Sequence, residues 1–249
     1  MLTTVIIPAF NRAGLLPRAV ESLWRQRDTA NLDILIVDDG STDATPAVAA
    51  ELARRMSIVR VVRQENSGVA GARNCGLRHL KAETEIVTFL DSDDISPPGR
   101  FVDLAALDAD PALDMTYGMM RMVWSLDPQT LLPTDEDAHE AFYNIQMTCA
   151  LMRRSLVTRI GLFDESFRQA EDTDYLLRIF ETGTRFLQTG TVALFYLRHH
   201  DNMTVDTHAA RFFMAKALHT SALRRKTDPS RILRKPDFAL MPKRKPELS

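Results

Sequence analysis

The segment Ile34-Leu35-Ile36-Val37-Asp38-Asp39-Gly40-Ser41 has four apolar residues followed directly by two aspartates, a glycine and a serine. A β-branched apolar run that stops at turn-forming residues is typical of a buried strand and the loop after it. Similar runs occur at residues 5–7, 58–62 and 86–90, with amphipathic helix patterns between them. Near-continuous apolar strands that alternate with helices predict an α/β fold: a doubly wound, mostly parallel central sheet with helices on both faces.

The rest of the chain predicts further helices and strands in a less regular order. Helices are predicted at residues 16–27, from about 46, 69–80, 100–107, 155–160, 172–181 and 209–225, and strand-like pieces at 115–124, 184–187 and 192–197. The acidic stretch at residues 135–140 predicts a surface loop. We divide the chain into a body at 1–207, with halves at about 1–95 and 96–207, a carboxyl-terminal helix at 208–226, and a flexible, basic, proline-rich tail at 227–249.

Charge is distributed unevenly along the 249 residues, although the formal net charge is only −2. Residues 1–220 hold 22 basic and 30 acidic side chains, whereas residues 221–249 hold 9 basic and 3 acidic ones. The acidic, aromatic-poor body argues against a nucleic-acid partner. The basic tail could contact an anionic membrane surface, and it could equally be a solvated tail.

Composition limits the class of protein and its compartment. A hydrophobic content of 45% with 26% charged residues excludes collagen-like, coiled-coil and wholly disordered chains. Apolar runs are far shorter than the roughly 20 residues that cross a bilayer, and no basic leader follows Met1. Cys75 and Cys149 show no metal-ligand spacing and no disulfide framework. We therefore expect a cytoplasmic protein, which could also lie peripherally at the inner membrane surface.

The first candidate site is a cluster of carboxylates at Asp91, Asp93 and Asp94, directly after the strand at 86–90. Carboxylates this close repel one another unless a cation or hydrogen-bond donors compensate. Mg²⁺ and Mn²⁺ prefer oxygen ligands and are often held by one or two carboxylates together with substrate phosphates. The pattern predicts a divalent-metal site, with turn-forming and helix-capping aspartates as the alternative.

A second cluster follows the strand at 34–37. Because ligands of open α/β sheets bind at the carboxyl ends of the strands, Asp39 is placed to accept hydrogen bonds from a nucleobase or ribose. Gly68 opens the next predicted helix, and Arg73 on that helix could pair with a diphosphate. The alternatives are an ordinary strand-to-helix turn and a solvated arginine. No G-x-G-x-x-G or P-loop sequence is present.

Two later segments carry further candidate residues. Glu171 and Asp172 begin a predicted helix, where the helix dipole favours carboxylates whether they cap the helix or do chemistry. His200 could be a metal ligand, a phosphate contact or a surface histidine.

Taken in order, these segments resemble the family 2 glycosyltransferases of the GT-A fold over residues 3–204. The matching segments are Val5-Ile6-Ile7-Pro8-Ala9-Phe10-Asn11, Val37-Asp38-Asp39-Gly40-Ser41-Thr42-Asp43, Asn66-Ser67-Gly68 with Ala72-Arg73-Asn74-Cys75-Gly76, Phe89-Leu90-Asp91-Ser92-Asp93-Asp94, Phe163-Asp164-Glu165 with Glu171-Asp172, and Arg198-His199-His200 with Met203-Thr204. The Gln-x-x-Arg-Trp element of processive synthases is absent. The resemblance implies a metal-dependent, inverting transfer of one sugar from a nucleotide sugar, with a UDP-sugar favoured, to a glycan, lipid-linked or other hydroxyl acceptor in cell-surface glycan or glycoconjugate assembly.

The resemblance also implies roles for individual residues. The nucleotide pocket would be lined by Pro8, Phe10, Asn11, Asp39 and Gly68. The donor would be held by Asp91 and Asp93, with Arg73 in contact with its diphosphate, and the metal ion, Mn²⁺ or Mg²⁺, would be held by Asp93, Asp94 and His200. The catalytic residues would be Asp172 and Glu171. Asp172 would be the base.

Two alternatives to this function stay open at the level of sequence. A nucleotidyltransferase would also use a doubly wound sheet with metal-binding aspartates, but it would normally show a glycine-rich, basic amino-terminal loop. A catalytically silent sugar-nucleotide-binding module is the non-enzymatic alternative, and the intact carboxylates weigh against it. Acceptor, linkage and oligomeric state are not encoded in any recognisable spacing.

Overall fold

The computed structural model describes residues 1–134, 140–198 and 207–239. Its strands are β1 (Leu2–Ala9), β2 (Leu32–Asp39), β3 (Val59–Gln64), β4 (Thr84–Phe89), β5 (Met115–Val123), β6 (Ala150–Arg153) and β7 (Phe186–Leu197). Its helices are α1 (Leu16–Trp24), α2 (Thr45–Arg55), α3 (Gly68–Arg78), α4 (Leu104–Ala109), α5 (Arg154–Ile160), α6 (Glu171–Phe180) and α7 (Thr207–Thr227). Short 3₁₀ turns occupy Arg100–Asp103 and Met147–Cys149, so the helix predicted at 100–107 begins as a 3₁₀ turn.

The strands form one seven-stranded sheet in the order β3-β2-β1-β4-β6-β5-β7. Strands β3, β2, β1 and β4 are parallel neighbours, β6 is antiparallel to both β4 and β5, and β5 is parallel to β7. This sheet confirms the predicted α/β class and its mostly parallel pairing. Because four parallel strands lie side by side, their carboxyl ends meet at one edge of the sheet.

The core explains why the amino-terminal strands read as uninterrupted apolar runs. Every residue of β2 is buried, and so are Thr3 to Ala9 of β1. Helix α3 lies so close to β1 that a Cβ at Gly76 would stand 2.4 Å from Cγ2 of Ile6. Both faces of this part of the sheet are therefore covered, as parallel sheets require.

Strand β7 differs from the two separate strand pieces predicted at 184–187 and 192–197. The structure has one strand, Phe186–Leu197, that pairs with β5 through a register shift. The hydroxyls of Thr189 and Thr191 donate to the Asp103 carboxylate at 2.6 and 2.8 Å. The two threonines between the predicted strand pieces thus form hydrogen bonds with a side chain that is distant in the sequence, and the strand continues through them.

The carboxyl-terminal segment also differs from the flexible tail predicted at 227–249. The Arg234 amide donates to the Phe180 carbonyl at 2.9 Å, and the Ala239 amide donates to the Tyr143 carbonyl at 2.8 Å. The Phe238 ring lies 5.8 Å from that of Tyr117. Residues 228–239 therefore pack on the body, because their apolar side chains find partners there. Residues 240–249 and most of the acidic stretch at 135–140 lie outside the described residues.

Within the described parts of the chain, no helix combines the length and the apolar character needed to cross a membrane.

Candidate active site

A cavity of about 800 Å³ lies at the carboxyl ends of the parallel strands. Nine of the residues singled out from the sequence line it: Pro8, Phe10, Asp39, Gly68, Arg73, Asp91, Asp93, Glu171 and Asp172. They come from the ends of β1 and β2, from the loops after β1 and β4, from α3 and from the start of α6. The fold therefore brings together side chains that are up to 164 positions apart in the sequence.

Asp39 lies at the amino-terminal end of α3. Its carboxylate accepts hydrogen bonds from the amides of Ser67 and Gly68, both at 2.9 Å, and from Nε2 of Gln64 at 2.7 Å. Gly40 makes this approach possible, since its φ is 73° and a Cβ would stand 2.7 Å from the Asn66 nitrogen. Asp39 is held rigidly at the cavity wall, and its carboxylate oxygens keep further acceptor capacity.

Asn11 does not line the cavity, which differs from its predicted place in the nucleotide pocket. Its Oδ1 accepts from the Thr42 amide at 2.9 Å and from the Asp43 amide at 3.3 Å. Its own amide donates to Oγ of Ser41 at 3.0 Å, and its φ is 52°, a left-handed value that asparagine tolerates. The structure thus shows Asn11 bracing the loop after β2.

Arg73 connects the two sides of the cavity. Its guanidinium, on α3, forms ion pairs with Glu171 of α6 and with Asp91 after β4, the latter at 2.9 Å. Burial alone would lower the pKa of Arg73, but the charges of Glu171 and Asp91 raise it above its ordinary value. Both terminal nitrogens of the predicted diphosphate contact are therefore already paired within the chain.

Asp172 lies next to that buried pair. Its Oδ1 accepts from the Thr173 amide at 2.7 Å. Burial and the neighbouring charge of Glu171 raise the pKa of Asp172 to about 7, against a smaller opposing effect of Arg73. A carboxyl group that titrates near neutral pH can take up and release a proton under physiological conditions.

Asp94 has the most enclosed carboxylate of the acidic cluster, and it is not one of the cavity-lining residues. Its Oδ1 accepts from the Leu197 amide at 3.0 Å, while its Oδ2 has no hydrogen-bond partner. Burial, followed by the charges of Asp93 and Asp91, raises the pKa of Asp94 well above its ordinary value. A buried carboxylate oxygen without a donor, beside other carboxylates, is a place where a cation would relieve repulsion.

These residues fit a divalent metal by the chemistry of their donors. Asp93 lines the cavity, and Asp94 follows it with an unpartnered oxygen. Among the described residues, no group of three or more His, Cys, Asp or Glu side chains is arranged to hold an ion. The set suits Mg²⁺ or Mn²⁺, which take few protein ligands and complete their coordination with water and phosphate oxygens. His200, the third predicted ligand, lies outside the described residues.

Two arginines at the site were missed by sequence reasoning. Arg12 lines the cavity, and its Nε stands 4.0 Å from Oδ2 of Asp93. Arg100 is buried and donates to Oγ1 of Thr88 and to the carbonyls of Phe89 and Thr148, at 2.7 to 2.8 Å. Burial lowers the pKa of Arg100 to about 10. Neither arginine belongs to a recognisable spacing, and only the fold reveals their positions.

Solved structures with the same fold are GT-A glycosyltransferases. Residues 1–349 of S. aureus TarS in complex with UDP-GlcNAc align with a TM-score of 0.68 and 19% identity, over 90% of this chain and 66% of that one. The mannosyltransferase PcManGT of Pyrobaculum calidifontis, in complex with GDP-Man and Mn²⁺, aligns with a TM-score of 0.63 and 23% identity, over 91% and 64%. The fold is therefore the GT-A fold.

The sequence comparison identifies the family. Residues 4–161 match the model of glycosyl transferase family 2, and the chain belongs to that family. The uncharacterized glycosyltransferase EpsJ of Bacillus subtilis (strain 168) is 27% identical over 239 residues, which cover 86% of this chain and 68% of EpsJ. The chain thus spans about two thirds of the length of EpsJ and of PcManGT, and 39% of the longer solved chain of TarS. Asp172 lies beyond the segment that the family model matches.

Proposed function

We propose that this protein is an inverting, metal-dependent glycosyltransferase that moves one sugar from a nucleoside diphosphate sugar to an acceptor hydroxyl. The observation that carries the proposal is that Asp39, Asp93 and Asp172 line one cavity, in which burial and the charge of Glu171 raise the pKa of Asp172. A base, a nucleotide-facing carboxylate and a metal-type carboxylate in one cavity are what this reaction needs.

The donor is assigned to the side of the cavity formed by β1, β2 and α3. Asp39 would accept a hydrogen bond from the base, beside Pro8 and Phe10, whose side chains line the same wall. We propose a UDP-sugar as the donor. TarS, which has this fold, is known in complex with UDP-GlcNAc.

The leaving diphosphate is assigned to the wall that carries Arg12, Asp91 and Asp93. Asp93 and Asp94 would hold Mn²⁺ or Mg²⁺, together with His200. When bound, the ion supplies positive charge to the diphosphate oxygens as the bond to the sugar breaks. PcManGT, with the same fold, is known in complex with Mn²⁺.

The proton of the acceptor hydroxyl is assigned to Asp172. As the acceptor oxygen forms its bond to the anomeric carbon, the bond from that carbon to the diphosphate oxygen breaks on the opposite side. The hydroxyl proton moves to the Asp172 carboxylate, the nucleoside diphosphate leaves, and the configuration at the carbon is inverted. Glu171 is paired with Arg73, and its charge contributes to the raised pKa of Asp172.

The acceptor completes the proposal. We assign it to a glycan, lipid-linked or other hydroxyl compound of cell-surface glycan assembly, and we propose that each binding event transfers a single sugar. The missing Gln-x-x-Arg-Trp element supports single transfer.

A donor screen tests the proposal directly. Calorimetry and slow donor hydrolysis would be measured with UDP-, GDP-, dTDP- and CMP-sugars, each with and without Mn²⁺. We expect one nucleoside diphosphate sugar to bind and to be hydrolysed slowly, with both effects stronger when Mn²⁺ is present. Binding without hydrolysis or transfer would favour a silent binding module, and failure of every donor to bind would contradict the proposal.

A further inference from the structure

Helix α7 carries apolar side chains on its outer side as well as on the side that packs against the body. Its inner side contributes the buried Ala217 and Ser221, and Phe213 packs against Phe167. On the other side Phe212, Leu218 and Leu223 are 60%, 53% and 46% exposed. We call the exposed residues Arg211, Phe212, Ala215, Leu218, His219, Ala222, Leu223 and Lys226 the outer face of α7.

The outer face is continuous along the helix. Its apolar members recur at three- and four-residue spacing from Phe212 through Ala215 and Leu218 to Ala222, which is the spacing of one side of a helix. At about 1.5 Å per residue, Phe212 and Leu223 are separated by about 16 Å along the axis. Three large exposed apolar side chains on one short helix indicate an interaction surface.

The charge of α7 identifies the partner's chemistry. The helix has five Lys or Arg residues and no Asp or Glu. Arg224 is engaged by Asp174 and Glu181 of the body, and Lys216 donates to Ser166 of the body. The exposed cations of the outer face are therefore Arg211 and Lys226, and the half-buried Arg225 lies beside them. A second copy of α7 would bring like charges together, so self-association is disfavoured.

We propose that the outer face of α7 binds the surface of an anionic phospholipid bilayer. Exposed Phe and Leu side chains can enter the headgroup region, and the basic side chains beside them attract anionic lipids. The surface therefore matches in both apolar character and charge. Residues 228–239 of the predicted tail pack on the body, so the contact that we propose is made by α7 and not by that segment.

The position of α7 relates this surface to the cavity. Ala210 and Met214, two residues before and two residues after Phe212, line the cavity that contains Asp172. A bilayer held by the outer face would therefore lie near the cavity entrance. Lipid binding itself needs no donor, metal or turnover, so it can fail or succeed independently of the proposed transferase activity.

Vesicle sedimentation with the full chain tests the proposal. The probes are vesicles of phosphatidylcholine alone and vesicles with an equal fraction of phosphatidylglycerol, at low and at physiological salt. We expect binding to the anionic vesicles only, and a decrease in binding as salt rises. Equal binding to neutral vesicles, or no binding to either kind, would overturn the proposal.

Two variants locate the contact. The apolar α7 variant combines Phe212→Ser, Leu218→Ser and Leu223→Ser, and the charge variant combines Arg211→Gln, Arg225→Gln and Lys226→Gln. Each variant should bind the anionic vesicles at least about tenfold more weakly than the wild type. The matched control is Val102→Ser, Leu162→Ser and Leu187→Ser, which removes three apolar side chains that are 63%, 43% and 43% exposed elsewhere. The control should bind vesicles like the wild type.

Folding and self-association are measured on the same samples. Thermal unfolding shows whether the α7 variants keep their structure, which we expect because the substituted apolar side chains are exposed. Wild-type binding by the apolar α7 variant, or equal loss in the control, would overturn the assignment to the outer face. So would a concentration-dependent dimer in sedimentation equilibrium that the α7 variants abolish.

Discussion

Asp39 and Asp172 are carboxylates at the starts of two helices that border one cavity, and their surroundings differ. Asp39 accepts two backbone amides and the Gln64 side chain. Asp172 accepts one backbone amide and lies, half-buried, beside another carboxylate, Glu171. The comparison shows how one cavity can hold a fixed hydrogen-bond acceptor on the proposed donor side and a proton-exchanging group on the proposed acceptor side.

The largest expected effect comes from Asp172→Asn, which removes the base and nearly preserves shape. We expect the transfer rate to fall by about 10²–10⁴-fold, because a positioned base contributes that much. Donor affinity should change little, because Asp172 is assigned to the acceptor. Turnover with the best donor of the screen, and calorimetry with the same donor, measure the two quantities.

The matched control for this variant is Asp164→Asn, in the exposed loop that precedes α6. Asp164 does not line the cavity, so its substitution should leave turnover close to the wild-type value. Wild-type turnover in Asp172→Asn would remove Asp172 from the mechanism.

The next largest effect concerns Arg73, which links the two sides of the cavity. Arg73→Met leaves Glu171 without its buried counter-charge and Asp91 without its nearest cation. Loss of one partner of a buried ion pair costs about 3–5 kcal/mol. Urea unfolding followed by circular dichroism measures the free energy of unfolding.

Arg78→Met, on the same helix, is the control for Arg73. The Arg78 side chain is 55% exposed and stands 4.0 Å from Glu165, so its loss should cost less than about 1 kcal/mol. If both variants lost the same small amount of stability, the bridge between the two sides would not hold the site together.

Asp39→Asn should have a smaller effect than Arg73→Met. The amide nitrogen of the new side chain would face a backbone N–H of Ser67 or Gly68, so one donor loses its acceptor, at a cost of about 1–3 kcal/mol. Donor affinity should also fall. Unfolding and donor calorimetry measure both, with Asp28→Asn, a side chain that is 80% exposed, as the control. Unchanged stability would indicate that Asp39 does not hold α3.

The smallest effect is a dependence of the rate on pH. The pKa of Asp172 is raised to about 7, and the base acts in its ionised form, so kcat/KM should rise with pH and level off above about 7. Below that value we expect about a tenfold decrease per pH unit. The residual rate of Asp172→Asn should not show this rise with pH. A wild-type rate that falls from pH 6 to pH 7.5 would contradict the assignment of Asp172 as the base.

Local pattern was enough to predict the amino-terminal half of the fold. Apolar runs fix β1 to β4, and because parallel strands end at one edge, Asp39 and Asp93 were expected to meet there. The continuity of β7 was not predictable, because it depends on Asp103, which is 86 positions from Thr189 in the sequence. Asp103 accepts hydrogen bonds from two threonine hydroxyls in a segment whose polar sequence predicts a break in the strand.

Long-range pairing explains the same limit in the site. The sequence predicts that Arg73 is a helix residue that faces a ligand. In the structure its ion-pair partner is Glu171, which is 98 positions away in the sequence. Asn11 was predicted to line a nucleotide pocket, but its side chain accepts hydrogen bonds from the amides of Thr42 and Asp43. Sequence pattern gives the position of a polar group on its own element, whereas its charge partners depend on how distant elements pack.

The packing of residues 228–239 has a practical consequence for shortened forms of this protein. Phe238 contacts the rings of Tyr117 in β5 and Phe180 in α6, the helix that carries Glu171 and Asp172. A chain cut after residue 226 would uncover those rings and expose new apolar surface to water. Deletions intended to probe only peripheral charge should therefore begin after residue 239, since earlier cuts would weaken the body itself.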